Sequence, residues 1–317
     1  MARYTPNELA DRLSDGLLSF PVTAFDADHN VDESAYRAHV SWQSGYGVAG
    51  LFAAGGTGEG FSLTADENRR VIRAAVDAAH EDVPVLGSAG GATREAVLRA
   101  QDAEAAGAEG LLLLPPYLTE CSQPGLFAHA SEVLSATRLG VVLYNRGNAV
   151  YSPSTVARLA ERHANLIGFK DGIGNIEHLA KVYARNGERL FYLGGLPTAE
   201  TFALPLLQMG MSTYSSAIFN FAPEFALEFY RDVRAQDRSA VNAKLASFVL
   251  PYLDIRDRSR GYGVSIIKAG LRAVGRDAGP VRPPLHDLTP IDQADLEALL
   301  DATAIARVAP VVSAVRA

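Results

Sequence analysis

The sequence predicts an α/β fold: a (β/α)₈ TIM barrel followed by a C-terminal helical extension. Three features carry the prediction. Eight short apolar runs recur through the first two thirds of the chain, helix-like segments separate them, and the strand signals stop near Ala222. The runs fall at 17 to 24, 49 to 54, 84 to 88, 110 to 114, 140 to 144, 166 to 169, 190 to 194 and 212 to 216. Each is nearly continuous in apolar character, as strands covered on both faces require. A Rossmann sheet fits less well, because its glycine fingerprint should follow the first strand and the glycine cluster here follows the second.

The clearest intervening helix opens at Thr64, with Glu67 three residues on forming a capping box. Val71, Ile72, Ala75, Val76 and Ala79 then share one face. Similar starts follow Thr93 and Pro153. Beyond Ala222 helical patterns take over, and Thr289 with Pro290 makes an N-cap and first-turn pair ahead of Ile291 to Ala302. The division expected is a barrel over 1–221 and a helical region over 222–317. No Gly/Ser-rich linker separates them, so the helical region is expected to pack on the barrel.

Composition narrows the function. The formal net charge of -7 comes from scattered acids and bases, with no basic block to follow a phosphate backbone, so nucleic acid is not an expected partner. The single cysteine, Cys121, forms no internal disulfide, and neither CxxC nor HExxH occurs; no metal site is expected. The N-terminal residues lack an apolar signal core, and no uncharged apolar run approaches the ~18 residues of a membrane helix. A cytoplasmic enzyme without membrane partners is the expectation.

In a TIM barrel the reactive groups sit where strands end and βα loops begin. The sixth run ends Ile167-Gly168-Phe169-Lys170-Asp171-Gly172. Of the four lysines, Lys181, Lys244 and Lys268 fall in helical patterns, which leaves Lys170 as the one a barrel aims at a substrate. An apolar interior disfavours the ammonium and makes the amine a nucleophile. The competing reading is a lysine that reaches to water or pairs with Asp171. The fifth run ends Tyr144-Asn145-Arg146, bringing a phenol able to move protons beside an imine, or simply a packed tyrosine. Arg146 is either a partner for a substrate carboxylate or a surface residue.

The second run enters Gly55-Gly56-Thr57-Gly58-Glu59-Gly60, whose backbone can approach a carboxylate, although a glycine cluster alone is also an ordinary tight turn. Ser215 and Ser216 end the eighth run, and Pro115-Pro116-Tyr117 the fourth. The seventh ends Leu193-Gly194-Gly195-Leu196-Pro197-Thr198 and holds no acid, so negative charge on a substrate would be tolerated there. A lysine, a tyrosine, an anion loop and a serine pair thus share one end of one barrel.

This constellation resembles the dihydrodipicolinate synthase and N-acetylneuraminate lyase superfamily across the whole chain. That superfamily has a GTTGE loop after strand two, a YN pair ending strand five and a lysine ending strand six; here they read Gly55 to Glu59, Tyr144 with Asn145, and Lys170. The resemblance implies that Lys170 forms a covalent imine with a 2-oxo acid and that Tyr144 shuttles protons. It implies further that Thr57 and the loop amides at Gly56 and Gly58 hold the carboxylate, that no cofactor is needed, and that the chain forms a homo-oligomer, a tetramer by family habit. Asn145, Arg146, Gly195, Ser215 and Ser216 are the further expected substrate contacts.

Two positions depart from the synthase pattern. Gly56 replaces the first threonine of the loop, and Leu118 stands where synthases carry a second tyrosine after Tyr117. Both remove hydroxyls from the synthase proton relay. GGTGEG, GFKDGIGN, TYSSAIFNFAP, GYGVSIIKAG and PVRPPLHDLTP instead resemble the 5-dehydro-4-deoxyglucarate dehydratase branch. That branch dehydrates and decarboxylates a diacid sugar derivative to 2,5-dioxopentanoate in glucarate catabolism. A 2-keto-3-deoxy sugar acid aldolase and a catalytically silent ligand-binding barrel are the alternatives.

Overall fold

Eight parallel strands close on themselves in chain order in the computed structural model, which describes residues 2–116, 120–196, 198–303 and 305. They are β1 (Leu18–Ser19), β2 (Gly50–Phe52), β3 (Val85–Ala89), β4 (Gly110–Leu113), β5 (Gly140–Asn145), β6 (Leu166–Asp171), β7 (Phe191–Gly194) and β8 (Thr213–Ser216). Every strand residue except Ser215 is buried, the condition that made the runs continuous in the sequence.

The helices are α1 (Pro6–Ser14), α2 (Glu33–Ser44), α3 (Ala65–Ala78), α4 (Thr93–Ala105), α5 (Gln123–Ser135), α6 (Pro153–Arg162) and α7 (Ile176–Asn186). They continue as α8 (Glu200–Met209), α9 (Pro223–Arg234), α10 (Arg238–Lys244), α11 (Leu250–Arg256), α12 (Tyr262–Ala273) and α13 (Pro290–Ala302). Three of the starts read from the sequence recur as capped helices, whereas α4 begins at Thr93 itself, with Ala92 at its N-cap and no side-chain cap. Thr64 and Glu67 close the capping box of α3, Ser152 caps α6 ahead of Pro153, and Thr289 caps α13.

The barrel is a packed core, filled by Leu18, Phe20, Phe52, Leu86, Leu112, Val142, Ile167, Phe191 and Leu193. Its lower end is shut by α1, whose buried Leu9 and Leu13 join that cluster. A Thr5–Glu8 capping box starts this helix, a T-x-x-E signal present in the sequence. With the bottom plugged, the strand C-termini form the open end.

The first strand is shorter than its apolar run. Only Leu18 and Ser19 join the ladder. Residues 20 to 24 stay buried but find other partners: Asn220 accepts from the Val22 amide and donates to the Phe20 carbonyl, and the Phe25 amide donates to Ala278. The chain therefore leaves the sheet to carry Phe20 over the barrel mouth. After β8 a short turn at Ile218–Asn220 leads into α9, which packs on that turn and on α8. The pairs α11 with α12, α11 with α13, and α12 with α13 are in contact, and α12 reaches back to the 218–220 turn. Among the described residues no helix is long and apolar enough to cross a membrane.

Candidate active site

Above the strand C-termini lies a cavity of about 990 Å³. Lys170 reaches it from β6. The side chain is 5% exposed, with Nζ 3.6 Å from the centroid of the Phe20 ring and 4.6 Å from that of Tyr144. It neither extends to water nor pairs with Asp171. That carboxylate instead accepts from Asn145 Nδ2 at 2.8 Å and from the backbone amides of Ile173 and Gly174 at 3.3 and 2.7 Å. Burial holds the Lys170 amine well below the ordinary lysine pKa, and the positive charge of Arg146 adds to the effect. A neutral amine aimed into a cavity is the electronic condition for attack on a ketone.

Tyr144 is the neighbour of Lys170 in the β5–β6 register. Its hydroxyl accepts from Arg146 Nη1 at 2.9 Å and donates to the Gly195 carbonyl at 3.4 Å. Burial raises its pKa, and the Arg146 guanidinium opposes that rise. Arg146 therefore stands on the phenol. It lines the cavity and, among the described residues, forms no ion pair.

Gly56, Thr57, Gly195, Ser215 and Ser216 also line the cavity. Two residues expected there do not. Asn145 is fully buried behind the wall, with Nδ2 on Asp171 and Oδ1 accepting from the Tyr151 amide. Side chains alternate along a strand, so Tyr144 pointing in sends Asn145 out, and its expected substrate role is corrected to a structural one. Gly58 turns away as well: its carbonyl accepts from Thr23 Oγ1 at 2.6 Å, and a Cβ on it would meet Pro21 O at 3.0 Å. Tyr117, Leu118 and Pro197 lie outside the described residues.

Gly195 has a specific reason to be glycine. A Cβ there would collide with Cε of Lys170, with its Cγ at 2.6 Å and with the Asp171 carbonyl at 2.9 Å. Gly195→Ala is expected to push the lysine aside and cut kcat/KM by about 10²-fold or more, at a cost of about 1–3 kcal/mol in stability. Steady-state kinetics beside thermal melting separates the two effects; full activity in this variant would contradict the geometry.

The sequence pointed to none of four further features. Arg99 of α4 lines the cavity and is paired with Glu95, which lines it too. Arg256 of α11 lines it and donates to Thr198 Oγ1 at 2.9 Å. Tyr252, Val264 and Ile267 bring the C-terminal helices into the wall. Glu200, at the start of α8, is 1% exposed and accepts from Ser216 Oγ at 2.5 Å. The acid-free run after β7 stops two residues short of it. Among the described residues no group of three His, Cys, Asp or Glu side chains could hold a metal ion.

Comparison with known proteins agrees with this geometry. The model of the dihydrodipicolinate synthetase family matches residues 13–303. The chain belongs to that family. Within it, the chain is 69% identical over 300 residues to a probable 5-dehydro-4-deoxyglucarate dehydratase of Corynebacterium glutamicum, covering 95% of each chain. It is 68% identical to one of Pseudarthrobacter chlorophenolicus, covering 95% of this chain and 99% of the relative. Among solved structures, dihydrodipicolinate synthase from Bacillus clausii superposes with a TM-score of 0.86 at 25% identity, over 93% of this chain and 99% of that one. A prophage protein of the dihydrodipicolinic acid synthase family from E. coli K12, in complex with pyruvate, gives 0.82 at 28% identity, over 92% and 98%. The helical C-terminal segment falls largely within the residues that the dihydrodipicolinate synthetase family model matches.

Proposed function

We propose that the chain is a class I lyase that dehydrates and decarboxylates 5-dehydro-4-deoxyglucarate to 2,5-dioxopentanoate through an imine on Lys170. The observation that carries the mechanism is the buried amine of Lys170, its pKa held well below the ordinary lysine value by burial, beside the Tyr144 ring and facing a cavity. The substrate follows from the relatives, which share more than half of their residues with this chain over nearly its whole length and are named for that activity. The cavity suits a diacid. Arg99, Arg146 and Arg256 line it, against one acid, Glu95, already held by Arg99.

Lys170 attacks the ketone beside the carboxylate at Thr57, and Tyr144, steadied by Arg146, moves the protons that turn the carbinolamine into an iminium. The iminium withdraws electrons from the neighbouring methylene. Loss of a methylene proton gives an enamine that expels the β-hydroxyl as water. The conjugated iminium then accepts the electron pair released when the distal carboxylate leaves as carbon dioxide, and protonation followed by hydrolysis frees the aldehyde and the lysine. The protein works without a cofactor in this scheme, and family likeness extends the proposal to a homotetramer.

Product analysis tests the proposal. Each substrate consumed is expected to yield one carbon dioxide and one 2,5-dioxopentanoate, with no pyruvate. Pyruvate without carbon dioxide would assign the chain to the aldolases, and no turnover of any 2-oxo acid would leave a binding barrel.

A further inference from the structure

We propose that Ser216 and Glu200 are the proton-donating pair that converts the departing β-hydroxyl of the substrate into water. The inference rests on the reaction proposed above and names the group that reaction leaves open. Ser216 ends β8 and lines the cavity. Its register partner in β1 is Ser19, which donates to the Ser216 carbonyl at 3.3 Å.

A serine hydroxyl has one hydrogen to give and two lone pairs. The Phe219 amide occupies one lone pair of Ser216 at 3.1 Å, and Glu200 takes up the next direction. With Glu200 ionised, the Ser216 hydrogen is spent on the carboxylate. With Glu200 protonated, the acid donates to the second lone pair and the Ser216 hydrogen turns to the cavity. The surroundings favour the acid: Glu200 is 1% exposed, its Oε2 has no hydrogen-bond partner, and it forms no ion pair among the described residues. Burial raises its pKa to about 7, against the opposing hydrogen bond from Ser216.

The titratable groups coupled to Glu200 are Tyr214 of β8 and Tyr252 of α11, phenols that burial keeps un-ionised. From α9, Tyr230 and Asp232 act on Tyr214, and the 245–249 segment packed on α8 carries no titratable residue. Arg256, which acts on Tyr252, is engaged by Asp257 and Thr198. Among the described residues no neighbour supplies the positive charge that would hold Glu200 ionised.

In the step itself, the bond from the β-carbon to oxygen breaks and its electron pair stays on the oxygen, which takes the Ser216 hydrogen and leaves as water. Ser216 Oγ takes the Glu200 proton in the same movement, and solvent returns a proton to the carboxylate before the next turnover. Glu200 acts through Ser216 and is a positioning and proton-supplying residue.

The test uses the full chain as wild type, Glu200→Gln and Ser216→Ala, each incubated with 5-dehydro-4-deoxyglucarate, reduced with borohydride and weighed intact. Both variants are expected to trap an adduct that still carries the β-hydroxyl, one water heavier than the dehydrated forms. Carbon dioxide release should fall about 10²–10⁴-fold. Wild-type kcat should decline as pH rises through about 7, and the variants should lose that limb. Wild-type rates, dehydrated adducts only, or loss of every adduct in the variants would overturn the pair. If Glu200→Gln does not fold, Ser216→Ala alone decides. A wild type that forms no adduct and releases no carbon dioxide would instead defeat the reaction on which the inference rests.

Discussion

Replacing Lys170 with alanine is expected to lower kcat/KM by about 10⁴-fold or more, because among the described residues no other amine lines the cavity and the covalent route closes. The same residue should cost stability. In the unfolded chain the amine is protonated below its ordinary pKa of 10.5, whereas in the native barrel burial holds it neutral down to a much lower pH. Between those limits unfolding takes up a proton. The contribution of Lys170 to stability is thus present above 10.5 and lost progressively as pH falls toward the depressed native value. Lys170→Met, which keeps the bulk and removes the charge, is therefore expected to melt at a higher temperature than wild type at neutral pH, with a gap that narrows as pH approaches 10.5. Melting curves across that range check it; a variant no more stable than wild type at pH 7 would show that burying this amine carries no cost.

The second large effect concerns another buried lysine. Lys268 of α12 and Glu59 of the second βα loop are both fully buried, with Nζ and Oε1 2.9 Å apart. Lys268 also donates to the Pro280 carbonyl at 2.7 Å, and the Arg282 amide donates to Glu59 Oε2 at 2.9 Å. Burial lowers the Lys268 pKa while Glu59 opposes the shift. The pair ties the loop bearing Thr57 to the C-terminal helices.

Lys268→Met leaves the Glu59 carboxylate buried without its cation, and a loss of about 3–5 kcal/mol is expected. Lys268→Met with Glu59→Gln should recover most of it, since the amide keeps its bond to Arg282 and no charge is stranded. Denaturant midpoints of wild type, single and double variants measure both. A single variant as stable as wild type would contradict the reading.

The parts of the site visible in the sequence are those that local pattern controls. Lys170 and Tyr144 each end a continuous apolar run, and a barrel turns that position into a place at its mouth. Asn145 was misread because adjacency along a strand is not adjacency in space; the alternation that points Tyr144 inward sends its neighbour into the wall. Gly58 failed in the same way, through a loop turn that no composition signal announces. Glu200 looks like any acid in the first turn of a helix. Its burial depends on Ser216 and on the C-terminal helices, contacts made across the fold. The Glu59–Lys268 pair is likewise long-range: the glycine loop is marked by its composition, but the buried cation behind it is not. In the fold, the eight-strand count and the capped helices follow from periodicity, whereas β1 stops early because Asn220 and Ala278 satisfy its backbone from outside the sheet.

The central claim is the covalent bond between Lys170 and the substrate. Borohydride reduction of the wild-type chain in the presence of 5-dehydro-4-deoxyglucarate, followed by digestion and mass spectrometry of the peptide that spans Lys170, tests it most directly. The account predicts a substrate-derived mass on Lys170, absent from Lys170→Ala. A chain that turns over substrate while Lys170 remains unmodified would contradict it.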